Sequence, residues 1–282
     1  MSLEPLPLVL VLLSALMHAA WNLIAKMGQD RLIAMAVIKG TNTVLALTVL
    51  VAVGIPASSS WAYLAASCAI NCVYFYFLIN AYRGDLSLAY PVSRGVAPLL
   101  VLVLSAVAAR EAPSEVSFAG VLLVSIAILV LAQRGASAAW HTQTMLWAGG
   151  VGLTIALSTV MDGLGGRHSD NVIGYVSAQN AITGVAVCGA AYLLRGRHAL
   201  ASGMQAYWKS SVLGGALMLL GYIIVVYALT IAPMAHVAAV RESSVIFAAV
   251  LGVIVLREPF GGRRILASVI LTTGIALLVL AR

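Results

Sequence analysis

The chain has 282 residues, of which 62% are apolar and only 9% are charged. Soluble globular domains carry roughly 25% charged residues, so this chain has too few charges to cover a surface that faces water. The mean hydropathy of +1.04 over the whole length therefore predicts an integral membrane protein whose outer solvent is lipid. The net charge of +7 is spread through short connections, which is typical of membrane topology and argues against nucleic-acid binding.

Several kinds of chemistry have no support in the sequence. Cys68, Cys72 and Cys188 all lie in apolar segments, and an odd set buried in the membrane argues against a disulfide framework. There is no Walker loop, so ATP is not expected as the energy source, and no His/Cys/Asp cluster has metal-ligand spacing. The polar residues are too scattered for a catalytic triad. We therefore predict that the protein is not an enzyme and needs no cofactor or metal.

Apolar runs long enough to cross a bilayer recur ten times along the chain. Each crossing needs ~20 residues to span ~30 Å of hydrocarbon, and charges or Gly/Pro/Ser clusters mark the connections. The first run has only Glu4 ahead of it and no basic residue, so we interpret it as a span and not as a signal peptide. The predicted spans are residues 6–25, 32–53, 61–82, 88–109, 116–133, 144–164, 172–194, 209–231, 235–256 and 264–281.

An internal repeat relates the two halves of the chain. A shift of 147 residues places Arg94 on Arg241, and it places the Arg110-Glu111 pair on Arg257-Glu258. Near the two starts the best shift is 140, which aligns the pairs Asp30 and Asp170, Ile33 and Ile173, and Thr43 and Thr183. Apolar matches arise partly by chance, but paired Arg and Arg-Glu matches at one shift are harder to obtain that way. The pattern predicts duplicated five-helix domains at residues 1–135 and 142–282.

Because five spans is an odd number, the second half must lie upside-down relative to the first. Inverted repeats are a known plan of secondary transporters, whose substrate site lies near the bilayer midplane where the halves meet. We therefore predict an all-α membrane fold of ten transmembrane helices in two inverted five-helix repeats.

The first span and the end of each half resemble a known family. The segment His18-Ala-Ala-Trp21-Asn22, with Lys26, resembles the opening of the EamA-type drug/metabolite transporters. Residues 88–111 and 236–258 are similar to the end of that family's repeat. The resemblance implies a ten-helix transporter of small organic metabolites, often an exporter of amino acids or related compounds. It does not imply a particular substrate.

Arg94 and Arg241 are the clearest candidates for substrate binding. A charge at membrane depth costs ~2.5–3.5 kcal/mol on insertion scales, so it normally faces a cavity or a partner. As repeat equivalents, the two arginines should approach one central cavity from opposite directions. Two guanidinium groups there would bind a carboxylate, phosphonate or phosphate. The alternative is that each arginine caps backbone carbonyls or snorkels to the membrane surface.

Lys39 and Glu242 are the other central charged candidates, and Asp162 lies nearer the end of its span. Lys39 has Gln179 as its repeat counterpart, which keeps a polar donor at the matching place in the substrate site. Glu242 is a candidate for proton coupling. For Lys39 the alternative is a lysine that snorkels to the membrane surface. For Glu242 the alternative is a structural ion pair, and Lys39 is a candidate partner.

Uncharged polar and aromatic residues complete the predicted site. His18 and Asn22 lie four residues apart on one helical face beside Trp21, and His18 is a second coupling candidate because histidine titrates near neutral pH. A satisfied interhelical histidine is the simpler alternative. Asn71 and Tyr74 lie near the middle of their span, and Tyr90 shares a stripe with Arg94; we assign these residues, with Trp21 and Asn22, to substrate binding.

These features predict a multi-pass protein of the cell membrane that exports or exchanges small anionic or zwitterionic metabolites by alternating access. Its expected partners are the substrate, the lipid bilayer and protons as the candidate coupling ion. The alternatives are a flippase for lipid-linked substrates and a passive channel. The orientation stays open, because Lys and Arg counts in the connections favour termini outside the cytoplasm, whereas the resembling family is usually drawn with cytoplasmic termini.

Overall fold

The computed structural model describes residues 4–28, 30–81, 86–132, 142–257 and 261–281. All regular structure in these ranges is helical, including one 3₁₀ turn at Ser58–Ser60. The α-helices are α1 (Pro5–Lys26), α2 (Arg31–Val53), α3 (Trp61–Ala81), α4 (Leu86–Ala108), α5 (Glu115–Ala132), α6 (Thr142–Arg167), α7 (Val172–Ile231), α8 (Met234–Arg241), α9 (Ser244–Leu256) and α10 (Gly262–Leu280).

The helices follow the predicted spans closely. Among the described residues, eight helical stretches are long and apolar enough to cross a membrane, and α5 adds a shorter apolar stretch. The prediction of an all-α, multi-pass membrane protein is therefore confirmed. The predicted span ends at residues 82 and 133, together with Glu258, lie outside the described ranges.

The region between the predicted seventh and eighth spans differs from expectation. Residues 195–208 were expected to form a connection because they contain several basic residues, but α7 is helical through this region. Gly196 alone leaves the helical conformation inside α7, with φ 78° and ψ 166°. This backbone geometry is accessible to glycine without a steric penalty, because glycine has no Cβ. The helix is thus divided at Gly196 into two arms, residues 172–195 and 197–231.

The predicted ninth span, residues 235–256, is interrupted between α8 and α9. The amides of Glu242 and Ser243 donate to the carbonyls of Ala239 and Val240, at 3.1 and 3.0 Å. These are i→i+3 bonds, so the helix tightens locally into a 3₁₀-type turn, a feature often found at functional hinges. Apolar composition carries no signal for such a break, because both flanking segments remain helical.

Close backbone contacts through small residues hold the bundle together. A Cβ built on Gly215 in α7 would lie 2.7 Å from the backbone nitrogen of Asn42 in α2. In the same way, a Cβ on Gly274 in α10 would lie 2.9 Å from the carbonyl oxygen of Gly120 in α5. Helices in lipid associate mainly by packing and hydrogen bonding, and small residues allow their backbones to approach this closely.

An ion pair joins four helix ends on one side of the bundle. Arg167, at the end of α6, lies 2.7 Å from Glu111, which follows α4. Arg167 also donates to the carbonyl oxygens of Leu229 and Ala232 at the end of α7. The amide of Met234, which begins α8, donates to Glu111 at 2.9 Å. We call this side of the bundle the Glu111 face.

We expect Gly215→Ala to destabilise the protein by about 1–3 kcal/mol, because the added methyl group would overlap the backbone of α2 and one helix must move away. Gly149→Ala in α6 is the matched control, since a Cβ there meets no atom within 4 Å. Thermal unfolding of the purified proteins in detergent measures both changes. Equal melting temperatures for the two variants would contradict the close α2–α7 contact.

Candidate functional site

A cavity of about 220 Å³ lies among helices α1, α2, α3, α4, α6, α7 and α8. Its wall is rich in polar side chains although it is enclosed by membrane-spanning helices. Of the residues predicted to bind substrate or couple protons, the cavity wall contains His18, Trp21, Lys39, Asn71, Tyr74, Arg94, Gln179 and Arg241.

Three predicted residues lie elsewhere. Asn22 donates its side-chain amide to the His18 carbonyl oxygen of its own helix at 2.8 Å. Tyr90 is 40% exposed, and it is not part of the cavity wall. Glu242 lies beside a smaller, neighbouring cavity.

Arg94 is neutralised by Glu242. The Arg94 Nε lies 3.1 Å from Glu242 Oε2, and Arg94 Nη2 lies 3.0 Å from Oε1, so the contact is bidentate. Both side chains are almost fully buried, with 9% and 4% of their surfaces exposed. The pair joins α4 to the turn between α8 and α9. Glu242 therefore pairs with Arg94 and not with Lys39.

Arg241 is not neutralised in this way. No carboxylate among the described residues forms a salt bridge with it, and its buried Nε has no hydrogen-bond partner. Its guanidinium carbon lies 5.6 Å from the centre of the Tyr222 ring, within the range of a cation–π contact. The aromatic face stabilises the cation but leaves guanidinium donors available to a ligand in the cavity.

Among the described residues, the hydrogen-bond partners of Lys39 are neutral. Its Nζ lies 2.8 Å from Asn180 Oδ1 and 3.4 Å from Asn42 Oδ1. Asn180 belongs to the first arm of α7, so the lysine also joins α2 to α7. The amide oxygens orient the ammonium group without cancelling its charge. Together with Arg241, Lys39 makes the cavity cationic.

The rest of the wall consists of hydrogen-bonding and aromatic groups. Asn71 donates to the Ser67 carbonyl oxygen at 2.9 Å, and Gln179 approaches the Ser67 hydroxyl at 3.5 Å. His18 and Trp21 form an edge-on ring contact with centroids 5.2 Å apart. The wall thus offers amide and aromatic surface next to the two cations.

A smaller cavity, of about 20 Å³, continues from the first toward the Glu111 face. Its wall includes Pro98, Val101 and Leu229, which lie toward the ends of α4 and α7. Both cavities share a layer formed by Arg94, Ile155, Thr159, Tyr222 and Arg241. The space therefore narrows at the arginines and becomes mainly apolar beyond them.

Sequence reasoning missed Asn180 and Tyr222 in the cavity wall, and it missed the hydrogen bonds around Asp162. Asn180 follows Gln179 directly, and this adjacent polar pair inside an apolar span was a usable signal. Tyr222 had no such signal, because a tyrosine in an apolar helix is compatible with ordinary packing. The hydrogen-bond network around Asp162, described below, depends on residues from three helices and has no local pattern.

In the described part of the chain, no three His, Cys, Asp or Glu side chains are placed to hold a metal ion.

Comparisons with known proteins identify the family. Residues 142–280 match the model of the EamA-like transporter family. A solved crystal structure that is 16% identical in sequence superposes on this chain with a TM-score of 0.76, covering 98% of this chain and 96% of its own. At that identity the likeness shows the fold alone. No curated protein matches the chain. Over residues 142–280 the chain belongs to the EamA-like transporter family of the drug/metabolite transporter superfamily.

Proposed function

We propose that this membrane transporter exports or exchanges small organic anions or zwitterions, such as amino acids and related compounds, by alternating access. The observation that carries the proposal is Arg241, a partly buried cation in the cavity wall whose buried Nε has no hydrogen-bond partner. A charge at membrane depth costs ~2.5–3.5 kcal/mol or more, so an uncompensated one indicates a function. A carboxylate in the cavity would supply the missing partner and bind the guanidinium in a bidentate manner.

The other groups of the cavity suit the same class of solute. Lys39 offers a second cation, while the amide oxygens of Asn71 and Gln179 can accept from an ammonium or hydroxyl group of the solute. Trp21 and Tyr74 add aromatic surface. The volume of about 220 Å³ is below the roughly 300–1,000 Å³ of common ligand sites, which favours a small metabolite.

Ten transmembrane passes fit the lengths of the helices. At 1.5 Å per residue, the 60 residues of α7 would extend about 90 Å as one rod, roughly three times the hydrocarbon thickness. One pass cannot accommodate this length, so we assign one pass to each of the two arms that meet at Gly196. Helices α8 and α9 together provide one pass, Met234–Val255, and α5 provides a short one.

Backbone conformation supports the two repeats. Arg110 and Arg257 are equivalent at the shift of 147 residues, and both have a φ of 53°. This left-handed conformation is uncommon for residues other than glycine. Its recurrence at the two equivalent positions is difficult to explain by chance. Residues 1–135 and 142–282 are the proposed repeats, and the family match over residues 142–280 covers the second of them.

The packing of α2 against α7 supports the inverted relation. Asp30, which caps the start of α2, lies 3.4 Å from Arg195 near the end of the first arm of α7. Reciprocally, Asn171, which caps the start of α7, donates to Val53 at the end of α2 at 2.9 Å. A two-fold axis that relates two antiparallel helices places each start beside the other's end, as here.

The two cavities support alternating access. The larger, polar cavity and the smaller, apolar one are separated by a layer that includes Arg94 and Arg241, next to the Arg94–Glu242 ion pair. Opening this pair would extend the larger cavity toward the Glu111 face. Because Arg94 already neutralises Glu242, the glutamate is better suited to such a gate than to carrying a proton. His18 lines the larger cavity and remains a coupling candidate.

We expect Arg241→Gln to weaken binding of the transported anion by about 10- to 100-fold, because a hydrogen bond to a charged group contributes ~1.5–3 kcal/mol. Lys39→Gln should have a similar but smaller effect, since the ammonium group forms no bidentate contact. Amino acids and simple carboxylates are screened first for a rise in melting temperature of the wild-type protein, which reports binding to the folded state. Uptake of the best solute into proteoliposomes then measures transport.

Arg195→Gln is the control for the loss of a positive charge. Its side chain is 47% exposed and pairs with an equally exposed Asp30, and such surface pairs contribute little. Wild-type flux from both cavity variants would rule out the proposed anion site. Flux that never saturates with solute concentration would favour a passive channel over a transporter.

Neutralising one member of the Arg94–Glu242 pair should cost more stability than neutralising both. Arg94→Gln alone leaves a buried carboxylate without a cation, at a cost of about 3–5 kcal/mol, whereas the double variant with Glu242→Gln leaves no net charge. Thermal unfolding of the two single variants and the double variant forms a complete cycle. A double variant that melts below either single variant would show that the pair is not a mutual ion pair.

A further inference from the structure

Asp162 is a second carboxylate deep in the bundle, and its surroundings differ from those of Glu242. It lies in α6 and none of its surface is exposed. No basic side chain among the described residues forms a salt bridge with it. The free-energy cost of burying its charge is therefore offset by neutral hydrogen-bond donors and by the more distant charge of Arg241.

Three hydroxyl groups from two neighbouring helices surround this carboxylate. Tyr175, in the first arm of α7, donates to Oδ1 at 3.1 Å. Tyr222, in the second arm, donates to Oδ2, and the Ser67 hydroxyl of α3 lies nearby. These hydroxyl groups can donate hydrogen bonds to the ionised carboxylate. They can also stabilise the protonated acid, because a hydroxyl oxygen can accept a hydrogen bond from its O–H group.

Tyr222 connects this carboxylate to the cavities. Tyr222 is part of the wall of both cavities. The Arg241 guanidinium lies over its ring, with 5.6 Å between the guanidinium carbon and the ring centre. Arg241 also acts on Asp162 through its charge. A short chain of contacts therefore joins Asp162 to the proposed anion-binding cation through a single side chain.

We propose that Asp162 is the proton-binding site of this transporter, and that Tyr222 and Arg241 link its protonation to anion binding in the cavity. The link to the anion rests on the proposed function, whereas the proton site does not. In the binding step, a proton from water adds to a carboxylate oxygen of Asp162 and forms a neutral carboxylic acid. The same O–H bond breaks when the proton leaves.

The sign of the link follows from the charges that face Asp162. Among the described residues, the titratable groups around it are Cys68 from α3, Tyr175 and Tyr222 from α7, and Arg241 from α8. Of these, only Arg241 is cationic, and it attracts both the carboxylate and a bound anion. When Asp162 is ionised it competes with the anion for that attraction, so a proton and an anion stabilise each other's binding.

Infrared difference spectra of the wild-type protein in lipid nanodiscs, recorded between neutral and acidic buffer, test the proton site directly. We expect a carbonyl stretch of a buried carboxylic acid that is absent from Asp162→Asn. Tyr222→Phe keeps the carboxyl group and removes one hydrogen bond, so the band should remain but shift in frequency. This second variant tests the assignment even if Asp162→Asn does not fold. Glu115→Gln, which removes an exposed carboxylate at the start of α5, should leave the band unchanged.

Acetate is the probe for the link to the cavity, used at pH values at which acetate itself stays ionised. A coupling of 1–3 kcal/mol corresponds to an affinity change of about 5- to 150-fold, and it must be reciprocal. Acetate should therefore stabilise wild-type protein against heat more strongly as pH falls. This pH dependence should disappear in Asp162→Asn, while acetate binding itself should be lost in Arg241→Gln.

The outcomes separate the two proposals. The absence of an acid band, or its persistence in Asp162→Asn, would overturn the proton site whatever acetate does. Acetate binding that is equally pH-dependent in wild type and Asp162→Asn would overturn the link. A wild-type protein that shows the Asp162 band but binds no acetate would retain the proton site and count against the link and the proposed anion site.

Discussion

The free-energy cost of charge at membrane depth governs the centre of this protein. Each ionised side chain there needs a counter-charge, hydrogen-bond partners or access to water. Arg94 and Glu242 neutralise each other, and Lys39 is held by the amide oxygens of two asparagines. Arg241 rests on an aromatic ring and has a buried nitrogen without a partner. The cations are thus compensated to different degrees, and the least compensated one lines the cavity.

The fold brings these charges together from distant parts of the chain. Lys39 is carried by α2 and Arg94 by α4, whereas Arg241 and Glu242 are adjacent residues where α8 enters the turn to α9. Close glycine contacts between α2 and α7 leave little freedom for these helices to slide, so the polar wall they carry is well positioned. A small cationic cavity in an otherwise apolar bundle follows from this packing.

Much of this arrangement could be predicted from the sequence, because polar residues are rare inside the spans. Lys39, Arg94 and Arg241 attract notice for their charge alone, and the cavity wall contains all three. The pairing of Arg94 with Glu242 could not be predicted, since it depends on how two helices are rotated about their axes. The helical structure of residues 197–208 was missed because basic residues were interpreted as loop markers, although they are also compatible with an exposed helix surface. Tyr222 was missed because only its neighbours in space, and not those in sequence, distinguish it.

The tight turn between α8 and α9 has a mechanical consequence. Successive residues on a helix point about 100° apart, so Arg241 and Glu242 are directed to different neighbours although they share one peptide bond. A small twist of this turn would separate Glu242 from Arg94 and, in the same movement, slide Arg241 across the Tyr222 ring. The contact of Arg241 with a bound solute and the separation of the two cavities would then change in one local movement. No rearrangement elsewhere in the bundle would be needed.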